Sequence, residues 1–386
     1  MNKGNLMNHR SSPLQGDKTS SANARASLTA RDTDTSGRET GRKLDLTGRT
    51  VLVVGGAGYV GSVMASELLR YGASVRVLDD LLYGNGFALR HLHDRPGFSF
   101  VRGDFTDPGV LRRTLAGIDS VIQLAALVGD PVCKRYSDLA VKVNLEGSKT
   151  LFNMARDQNV QRFVFASTCS NYGIHQGSEP ATETAELNPQ SLYAETKIDM
   201  ERYLVERSQE GSTCPSILRI ATAYGLSPRM RFDLTIAHFT RALADGEELT
   251  VYDADTWRPY CHVRDISKAF ATVLCQEPQM VRGEIYNVGD NEQQLTKRMI
   301  VDLISEHLQP IRVKYLTGDT DPRDYRVCFD KISRSLGFRC EHTVQSYLPR
   351  LLQAYREGAA FGPAEVEKAG NYRIREGTAD LEPTAA

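Results

Sequence analysis

The sequence has few cysteines and no close pair among them. Its seven cysteines are scattered along 386 residues, are odd in number and include no Cys-x-x-Cys motif. Structural zinc sites and disulfide frameworks are built from closely spaced or even sets of cysteines. The pattern therefore argues against structural zinc and predicts a chain that works in a reducing compartment, which favours the cytoplasm.

Long apolar runs are also missing, and neither sign of charge dominates. No apolar stretch approaches the ~18 residues that a membrane-spanning helix needs, so we expect no membrane partner. Lysine and arginine number 47 against 48 aspartates and glutamates, for a net charge of −1, which argues against nucleic acid as a partner. With 41% hydrophobic residues, the composition is that of a globular protein with one large or two modest cores.

Apolar side chains are scarce at both ends of the chain. Residues 1–43 are rich in Ser, Thr, Asn, Asp and Arg, and they cannot bury enough apolar surface to offset the entropy of ordering. We expect a disordered N-terminal extension there, because its acidic residues and lack of an apolar core make a targeting peptide the weaker interpretation. Residues 361–386 are polar and contain proline, so we expect a disordered tail.

Between these ends, short apolar runs alternate with segments of helical period. The first run, residues 50–54, precedes glycines at a spacing of three, Gly55, Gly58 and Gly61. This order predicts a strand, a tight turn and a helix whose N-terminal backbone N–H groups can approach a pyrophosphate. Asp79 ends the next run about 20 residues on, where a carboxylate would accept from a ribose 2′-hydroxyl. A purely structural turn is the alternative.

The alternation continues through four more apolar runs. It predicts an α/β fold with a doubly wound parallel sheet, in which ligands bind at the carboxyl ends of the strands. We place this domain at residues 44–224 and expect residues 259–290 to return to it. The rhythm changes in residues 225–258 and 291–360, which we expect to form a smaller C-terminal domain that binds substrate.

One helical segment carries a pair of chemical groups. Tyr193 and Lys197 are four residues apart and therefore lie on one helical face. An ammonium group stabilises a phenolate, so Lys197 could lower the pKa of Tyr193 from its usual value of about 10. The phenol could then act as acid or base at a substrate hydroxyl. A solvated helix face is the alternative. The fifth apolar run ends in residues 167–173, where a hydroxyl could share the transferred proton.

Taken together, these motifs resemble a known family. The order of Gly-Gly-Ala-Gly-Tyr-Val-Gly-Ser, Asp79, Gly103-Asp104, Leu124-Ala125-Ala126, Asn144, Ser-Thr-Cys-Ser-Asn-Tyr-Gly and Tyr-x-x-x-Lys is similar to that of the extended short-chain dehydrogenase/reductases. More narrowly, the chain resembles the NAD-dependent nucleotide-sugar epimerases and dehydratases of the UDP-galactose 4-epimerase type, which have a Rossmann fold. The resemblance implies NAD as cofactor and a nucleotide sugar as substrate, and it is compatible with a homodimer.

The resemblance also implies a role for each matching residue. Tyr193 would be the catalytic acid or base, Lys197 its partner, and Thr168 the neighbouring hydroxyl. The implied cofactor-binding residues are Gly55, Gly58, Tyr59, Val60, Gly61, Asp79, Asp104, Phe105, Leu124, Ala125, Ala126, Asn144, Tyr193 and Lys197. The implied substrate-binding residues are Ser170, Thr222, Arg229, Arg231, Arg258, Arg323 and Arg326, and no metal ligand is implied.

The arginines in that set suit a diphosphate, because a guanidinium group meets phosphate oxygens bidentately. Arg258 and Arg323 resemble the family's two diphosphate ligands, although Arg326 could take the place of Arg323. A solvated surface charge is the alternative for each of them. An acid at Asp79 favours NAD over NADP, because it would repel a 2′-phosphate.

Two departures from the family pattern bear on the reaction. The family's 4,6-dehydratases carry Asp-Glu after the threonine, where this chain has Cys169-Ser170, so dehydration is disfavoured. Thr222 replaces a common asparagine, and we expect Cys169 to be packed and His262 to be structural. We therefore predict an NAD-dependent epimerase that acts through a transient keto-sugar, at carbon 4. The alternatives are a reductase or dehydrogenase of a nucleotide-linked sugar and a non-catalytic NAD-binding module.

Overall fold

The computed structural model describes residues 44–175, 179–318, 323–357 and residue 371. The predicted extension, residues 1–43, and the predicted tail, residues 361–386, lie outside the described residues except for Asn371. Within the described ranges, no helix combines the length and the apolar character needed to cross a bilayer.

The strands are short and are spread along the whole described chain. They are β1 Thr50–Val54, β2 Ser74–Asp79, β3 Phe98–Arg102, β4 Ser120–Gln123, β5 Arg162–Thr168, β6 Cys214–Ile220, β7 Thr222–Tyr224, β8 Glu248–Tyr252, β9 Trp257–His262, β10 Ile285–Val288, β11 Gln294–Thr296 and β12 Arg312–Leu316.

The α-helices lie between these strands and after them. They are α1 Tyr59–Arg70, α2 Pro108–Thr114, α3 Asp130–Arg135, α4 Ser137–Val141, α5 Ser148–Asp157, α6 Leu192–Glu206, α7 Thr235–Ala244, α8 Val263–Leu274, α9 Pro278–Val281, α10 Lys297–Ser305, α11 Asp330–Leu336 and α12 Val344–Arg356. Short 3₁₀ turns cover Gly86–Leu92 and Cys169–Tyr172, and a π-helical turn covers Lys142–Gly147.

Seven strands form one parallel sheet in the order β10-β6-β5-β4-β1-β2-β3. The chain winds outward from β1 to β3 on one side, then crosses back and winds from β4 to β6 on the other. The reversal between β1 and β4 leaves a crevice at the carboxyl ends of the strands, where ligands bind in such sheets. The predicted doubly wound α/β fold is confirmed.

The patterning of the large sheet explains why it forms. Residues 51–54 of β1 are all buried, as expected for a central parallel strand that helices cover on both faces. On α1, Met64 and Leu68 are fully buried against the sheet, as their helical spacing predicts. At the start of α2, the Asp107 carboxylate accepts from the backbone N–H of Gly109 at 2.6 Å, and Pro108 follows as the first helical residue, an arrangement that favours a helix start at this point.

A second apolar core lies outside the large sheet. Its members come from helices α7, α10 and α12 and from β8, and they include Ile236, Phe239, Leu243, Val251, Ile300, Ile304, Leu348 and Leu351. Two small sheets, β11-β9-β7 and β12-β8, accompany it. Strand β9 pairs with β7 and β11, and the chain re-enters the large sheet with β10, which pairs with β6.

The large sheet with its helices forms one layer, and the second apolar core with its small sheets forms the other. The two layers are joined at the start of α1. The Tyr59 hydroxyl donates to the carbonyl of Gly225 at 2.6 Å, and the Ser227 hydroxyl donates to the carbonyl of Tyr59 at 2.7 Å. The Ser62 and Ser227 hydroxyls lie 3.1 Å apart. The first turn of α1 is therefore bonded directly to the segment that follows β7.

Candidate functional site

A cavity of about 600 Å³ opens at the reversal point of the large sheet. The turn after β1 and the ends of β2, β4 and β5 line one side, and residues that follow β7 line the other. The cavity therefore lies where the strand order alone predicts a ligand site.

The turn after β1 brings backbone very close to backbone. Gly55 has a φ of +86°, and a Cβ there would lie 2.6 Å from the backbone nitrogen of Ala125. A Cβ on Gly61 would lie 2.3 Å from the carbonyl oxygen of Gly55. A side chain at residue 55 would push the turn away from the end of β4, and one at residue 61 would push the first turn of α1 away from the glycine turn. The two glycines therefore let the turn, the end of β4 and the N-terminus of α1 pack together beside the cavity.

Asp79 lies at the end of β2 and is tied to the same turn. Its carboxylate oxygens accept from the backbone N–H groups of Ala57 and Leu81, each at 2.9 Å. Burial raises the pKa of Asp79 to about 6, although these two hydrogen bonds and the charge of Arg229 oppose the shift. The carboxylate is therefore both a structural acceptor and a polar group that faces the cavity.

Two further residues of this region were missed in the sequence. Asn85 donates from Nδ2 to the carbonyl of Ala57 at 2.6 Å, which closes the glycine turn from its outer side. Its Oδ1 atom and the Tyr83 hydroxyl are buried, and neither has a hydrogen-bond partner within the described part of the chain. Both residues line the cavity. The only hint in the sequence is the Gly84-Asn85-Gly86 turn, which does not specify where its side chains point.

All but one of the residues predicted to bind the cofactor line the cavity. The exception is Asn144, which is buried in the π-helical turn. Its side chain accepts from the N–H of Leu127 at 2.8 Å and donates to the carbonyl of Leu127 at 3.0 Å. Leu127 itself lines the cavity, so Asn144 supports the wall from behind. Helix α4 precedes this turn, and α5 follows it.

The three residues proposed for catalysis come from two adjacent elements. Thr168 is the last residue of β5, and its Oγ1 accepts from the N–H of Ser170 at 3.1 Å, which leaves its own hydroxyl hydrogen to donate elsewhere. Tyr193 is the second residue of α6, behind the N-cap Ser191. Lys197 follows one turn later, and all three line the same cavity.

Lys197 is buried beside the ring of Tyr193. Its ammonium group donates to the carbonyl of Ala166 at 2.7 Å and lies 4.5 Å from the centre of the Phe165 ring and 5.7 Å from that of Tyr193. Burial lowers the pKa of Lys197 to about 7, and the negative charge of Glu201 opposes the shift. The four-residue spacing predicted that Tyr193 and Lys197 lie on one face of the helix, and their side chains are adjacent in the structure.

A buried ion pair lies behind Lys197 and was not anticipated. Arg219 donates from Nη2 to the Glu201 carboxylate at 2.7 Å, and both side chains are 3% exposed. Glu201 also accepts from the Ser167 hydroxyl and from Asn171 Nδ2. Arg219 donates to the Tyr172 hydroxyl at 3.0 Å. The network ties α6 to β5 and β6 around the residues that carry the site.

The far end of the cavity contains two of the predicted arginines. Arg323 donates to the Ser170 hydroxyl at 3.4 Å, and the guanidinium of Arg258 lies 5.3 Å from the centre of the Tyr325 ring. The Tyr325 and Ser170 hydroxyls are 3.5 Å apart. Thr222 lines this cavity as well. Tyr325 was not singled out in the sequence, because an isolated tyrosine in a loop has no distinguishing pattern.

Arg229 and Arg231 line the cavity on a different side. Arg229 is 3% exposed, donates to the side chain of Asn371 at 2.7 Å and lies over the Tyr83 ring. Burial, with Arg231 next, lowers the pKa of Arg229 to about 10, and Arg231 is itself paired with Asp233. Its contact with Tyr83 brings Arg229 close to Asn85, which is bonded to the glycine turn through Ala57.

Arg326 is the one predicted substrate residue that the first cavity does not contain. It lines a second cavity of about 470 Å³ instead, where its guanidinium lies 5.7 Å from the centre of the Trp257 ring. Of the two alternatives raised by the sequence, Arg323 is therefore the one placed beside Ser170.

Cys169 and His262 each contact neighbouring backbone. Cys169 is 1% exposed and its thiol donates to the carbonyl of Arg219, so it is packed. His262 accepts from the N–H of Arg264 as the N-cap of α8. The potential ligand atoms of His262, Asp265 and His342 lie within 4.8 Å of one another. The His262 and His342 rings are stacked with their centres 4.1 Å apart.

The chain is similar to proteins of known activity. The NAD dependent epimerase/dehydratase family matches residues 51–289. A dTDP-glucose 4,6-dehydratase from an Actinoplanes species is 30% identical over 75% of this chain and 92% of its own length. A UDP-glucose 4-epimerase from Corynebacterium glutamicum is 28% identical over 76% and 91%, respectively. The crystal structure of the dTDP-glucose 4,6-dehydratase DesIV from Streptomyces venezuelae, with NAD bound, superposes with a TM-score of 0.74 at 29% identity, covering 82% of this chain and 99% of that one.

Proposed function

Because the chain belongs to the NAD-dependent epimerase/dehydratase family and is an NAD-dependent enzyme of the nucleotide-sugar epimerase or 4,6-dehydratase type, we propose that it is an epimerase that acts at carbon 4 of the sugar. In this proposal the sugar is oxidised to a transient keto-sugar and reduced again within one site. Net oxidation or reduction does not occur, so the same cofactor molecule serves every turnover.

The absence of a carboxylate beside Thr168 is the observation that carries this choice. The two residues after Thr168 are Cys169, whose thiol is packed away from the cavity, and Ser170, a neutral hydroxyl. The carboxylates that line the cavity in the described chain are Asp79, Asp80, Asp104 and Asp233. Asp79 ends β2, Asp80 and Asp104 follow β2 and β3, and Asp233 is paired with Arg231. Loss of water needs an additional proton donor and base near the sugar, whereas a simple redox cycle needs only the acid–base group that serves the reacting hydroxyl.

The cavity fits the cofactor on structural grounds. The glycines leave room against the first turn of α1, where backbone N–H groups would meet the pyrophosphate. Asp79 would accept from the adenosine ribose, which favours NAD over NADP. The unpartnered Asn85 Oδ1 and the Tyr83 hydroxyl offer further polar contacts. Asp104 and Phe105 would lie at the adenine, and Leu124, Ala125 and Ala126 would form the wall.

The catalytic step follows from the placement of three side chains. Bound NAD supplies a hydride acceptor and, in the reverse direction, a donor. Tyr193 would take the proton of the sugar hydroxyl as its carbon is oxidised, and would return a proton when the keto-sugar is reduced on its other face. The Thr168 hydroxyl would donate to the same oxygen and hold it in place. Lys197, adjacent to the Tyr193 ring, would stabilise the phenolate when protonated and donate to the cofactor ribose.

The substrate diphosphate would lie at the far end of the cavity. Arg258 and Arg323 supply two guanidinium groups there, and Ser170 and Tyr325 supply hydroxyls near the sugar. Thr222 replaces the asparagine common in relatives and would contact the sugar with a shorter side chain. Arg229 and Arg231 add positive charge on the side toward the glycine turn.

The experiment that tests the proposal follows carbon-bound hydrogen. The purified protein is incubated in D₂O with a panel of nucleotide sugars, and products are separated and weighed by mass spectrometry. An epimerase returns the abstracted hydride to the same carbon, so the product has the mass of the substrate and no carbon-bound deuterium. A dehydratase product would lack one water and carry solvent deuterium on carbon, which would contradict the proposal.

Cofactor content separates the remaining alternatives. An epimerase keeps its NAD through many turnovers, and NADH does not accumulate in proportion to product. Cofactor consumed mole for mole with product would identify a reductase or dehydrogenase. No product and no reduction of bound NAD with any sugar of the panel would favour the non-catalytic module.

A further inference from the structure

A pair of thiols lies outside the proposed active site, within and beside the apolar cluster of the large sheet. Cys261 is the fifth residue of β9 and is 1% exposed. Cys340 lies in the loop between α11 and α12 and is partly exposed. Their sulfur atoms are 3.8 Å apart, although the residues are 79 positions apart in the sequence. The spacing pattern that argued against disulfides could not show this pair, because only the fold brings it together.

Several bonds hold the loop of Cys340 against the segment that follows Cys261. The Asp265 carboxylate accepts from the backbone N–H groups of Glu341 and His342, at 3.1 and 3.0 Å, and contacts the His342 ring. Lys268 donates to the carbonyl of Arg339 and pairs with Glu341. The residues on both sides of Cys340 are thus fixed to α8. The two thiols are held together by non-covalent contacts that do not depend on a bond between them.

We propose that Cys261 and Cys340 form a reversible disulfide that fastens the loop before α12 to strand β9. The sulfur atoms need to approach by about 1.8 Å to reach a bond length of about 2.05 Å, a distance within reach of side-chain rotation. Cys340 is the more exposed residue of the two and is the position that an oxidant meets first. Cys261 is buried and reacts second. Burial raises the pKa of its thiol, so only a small fraction of Cys261 is thiolate and able to attack an external disulfide.

The oxidant is a low-molecular-weight disulfide. The Cys340 thiolate attacks one sulfur atom of this external disulfide, whose S–S bond breaks. One external thiol leaves, and a mixed disulfide forms between Cys340 and the other half. Cys261 then loses its proton and attacks the Cys340 sulfur of that mixed disulfide, which releases the second thiol. Two cysteine thiols are oxidised, one external disulfide is reduced to two thiols, and the reverse reaction with a reducing thiol restores the pair.

The test uses the full chain and glutathione disulfide as the probe. After incubation, remaining thiols are alkylated under denaturing conditions, and the protein is digested without reduction for peptide mass spectrometry. We expect the loss of two of the seven thiols and one cross-linked peptide joining Cys261 to Cys340. The Cys340→Ser variant loses the cross-link, whereas Cys328→Ser, at a partly exposed cysteine elsewhere, keeps it.

Stability supplies the second measurement. The covalent bond closes a long loop, so oxidised wild-type protein should melt roughly 5 °C above reduced protein, and Cys340→Ser should show no such difference. Stable glutathionylation of Cys340 without a cross-link would overturn the proposal, as would seven unchanged thiols or a cross-link through Cys169. A Cys261–Cys340 cross-link that leaves the melting temperature unchanged would overturn the fastening role.

Discussion

Tyr193 is the residue on which the proposed chemistry depends most directly. It lines the cavity, one helical turn before the buried ammonium group of Lys197. Replacing Tyr193 with Phe removes the proton-transferring hydroxyl and little else, so we expect turnover to fall by ~10²–10⁴-fold while NAD stays bound. Product formation by chromatography and cofactor released on denaturation measure the two effects.

Tyr203→Phe is the matched control for that variant. Tyr203 is on the same helix, but its hydroxyl meets the side chain of Asn153 and does not line the cavity. Its turnover should stay within about twofold of wild type. Near-normal turnover in Tyr193→Phe, or an equal loss in both variants, would exclude the assigned role.

Asp79 makes a pH dependence of cofactor binding testable. Burial raises its pKa to about 6, so the carboxylate gains a proton as the pH falls through that value. The protonated form loses acceptor capacity toward the ribose, and NAD affinity should therefore weaken as the pH falls from 7 to 5. Calorimetric titration of Asp79→Asn should show weaker binding that no longer changes over this window. A variant that retains the wild-type pH profile would reject Asp79 as its source.

Arg258 separates substrate binding from cofactor binding. Replacing Arg258 with Ala removes a guanidinium from the far end of the cavity and should raise the dissociation constant of the nucleotide sugar at least ~10-fold, because charge-assisted bonds to phosphate are lost. NAD affinity should change little. Arg326→Ala is the control, since Arg326 lines the second cavity. Equal effects of the two substitutions on substrate affinity would contradict the placement of the diphosphate.

At the scale of elements, the Glu201–Arg219 pair joins α6 to the large sheet. Both side chains are 3% exposed, so removing one partner leaves a buried charge without compensation. Glu201→Ala should therefore lower the free energy of unfolding by roughly 3–5 kcal/mol, measured by urea denaturation. Glu210→Ala removes an exposed partner of Arg156 and should cost only ~0–1 kcal/mol. A similar cost for the two substitutions would show that the buried pair does not anchor the helix.

Local sequence patterns predicted most of the elements because each depends on neighbouring residues. Apolar runs and glycine spacing act within one turn or strand, and the structure contains the corresponding elements. Helical spacing singled out Tyr193 and Lys197, and the family resemblance added Thr168. The fold brings all three residues to one cavity.

The features that were missed depend on contacts between distant segments. Asn85 meets Ala57 only after the chain has folded around β2, and Arg219 meets Glu201 only when β6 lies beside β5. Tyr325 reaches Ser170 across 155 positions of sequence. No local period or spacing records such contacts, and the choice between Arg323 and Arg326 likewise required the loop geometry.

At the scale of the whole molecule, Asn371 is the one residue of the two terminal segments, 1–43 and 361–386, that lines the cavity in the described part of the chain. The lining residues of the cavity begin at Gly55. Deleting residues 1–43 should therefore leave NAD affinity and turnover within about twofold of the full chain, measured by calorimetry and product formation. Loss of bound cofactor in the shortened protein would show that the extension contributes to the site.

The bonds between the first turn of α1 and residues 225–227 determine when in folding the cofactor site is complete. Tyr59 and Gly225 are 166 positions apart, so the helix end that would hold the dinucleotide phosphates is fastened only after the strands from β2 to β7 have been made. A nascent or truncated chain that ends before residue 225 contains every glycine of the turn but lacks Gly225 and Ser227, the hydrogen-bond partners of Tyr59. The complete dinucleotide site is thus expected only after residues 225–227 have been made and folded against α1.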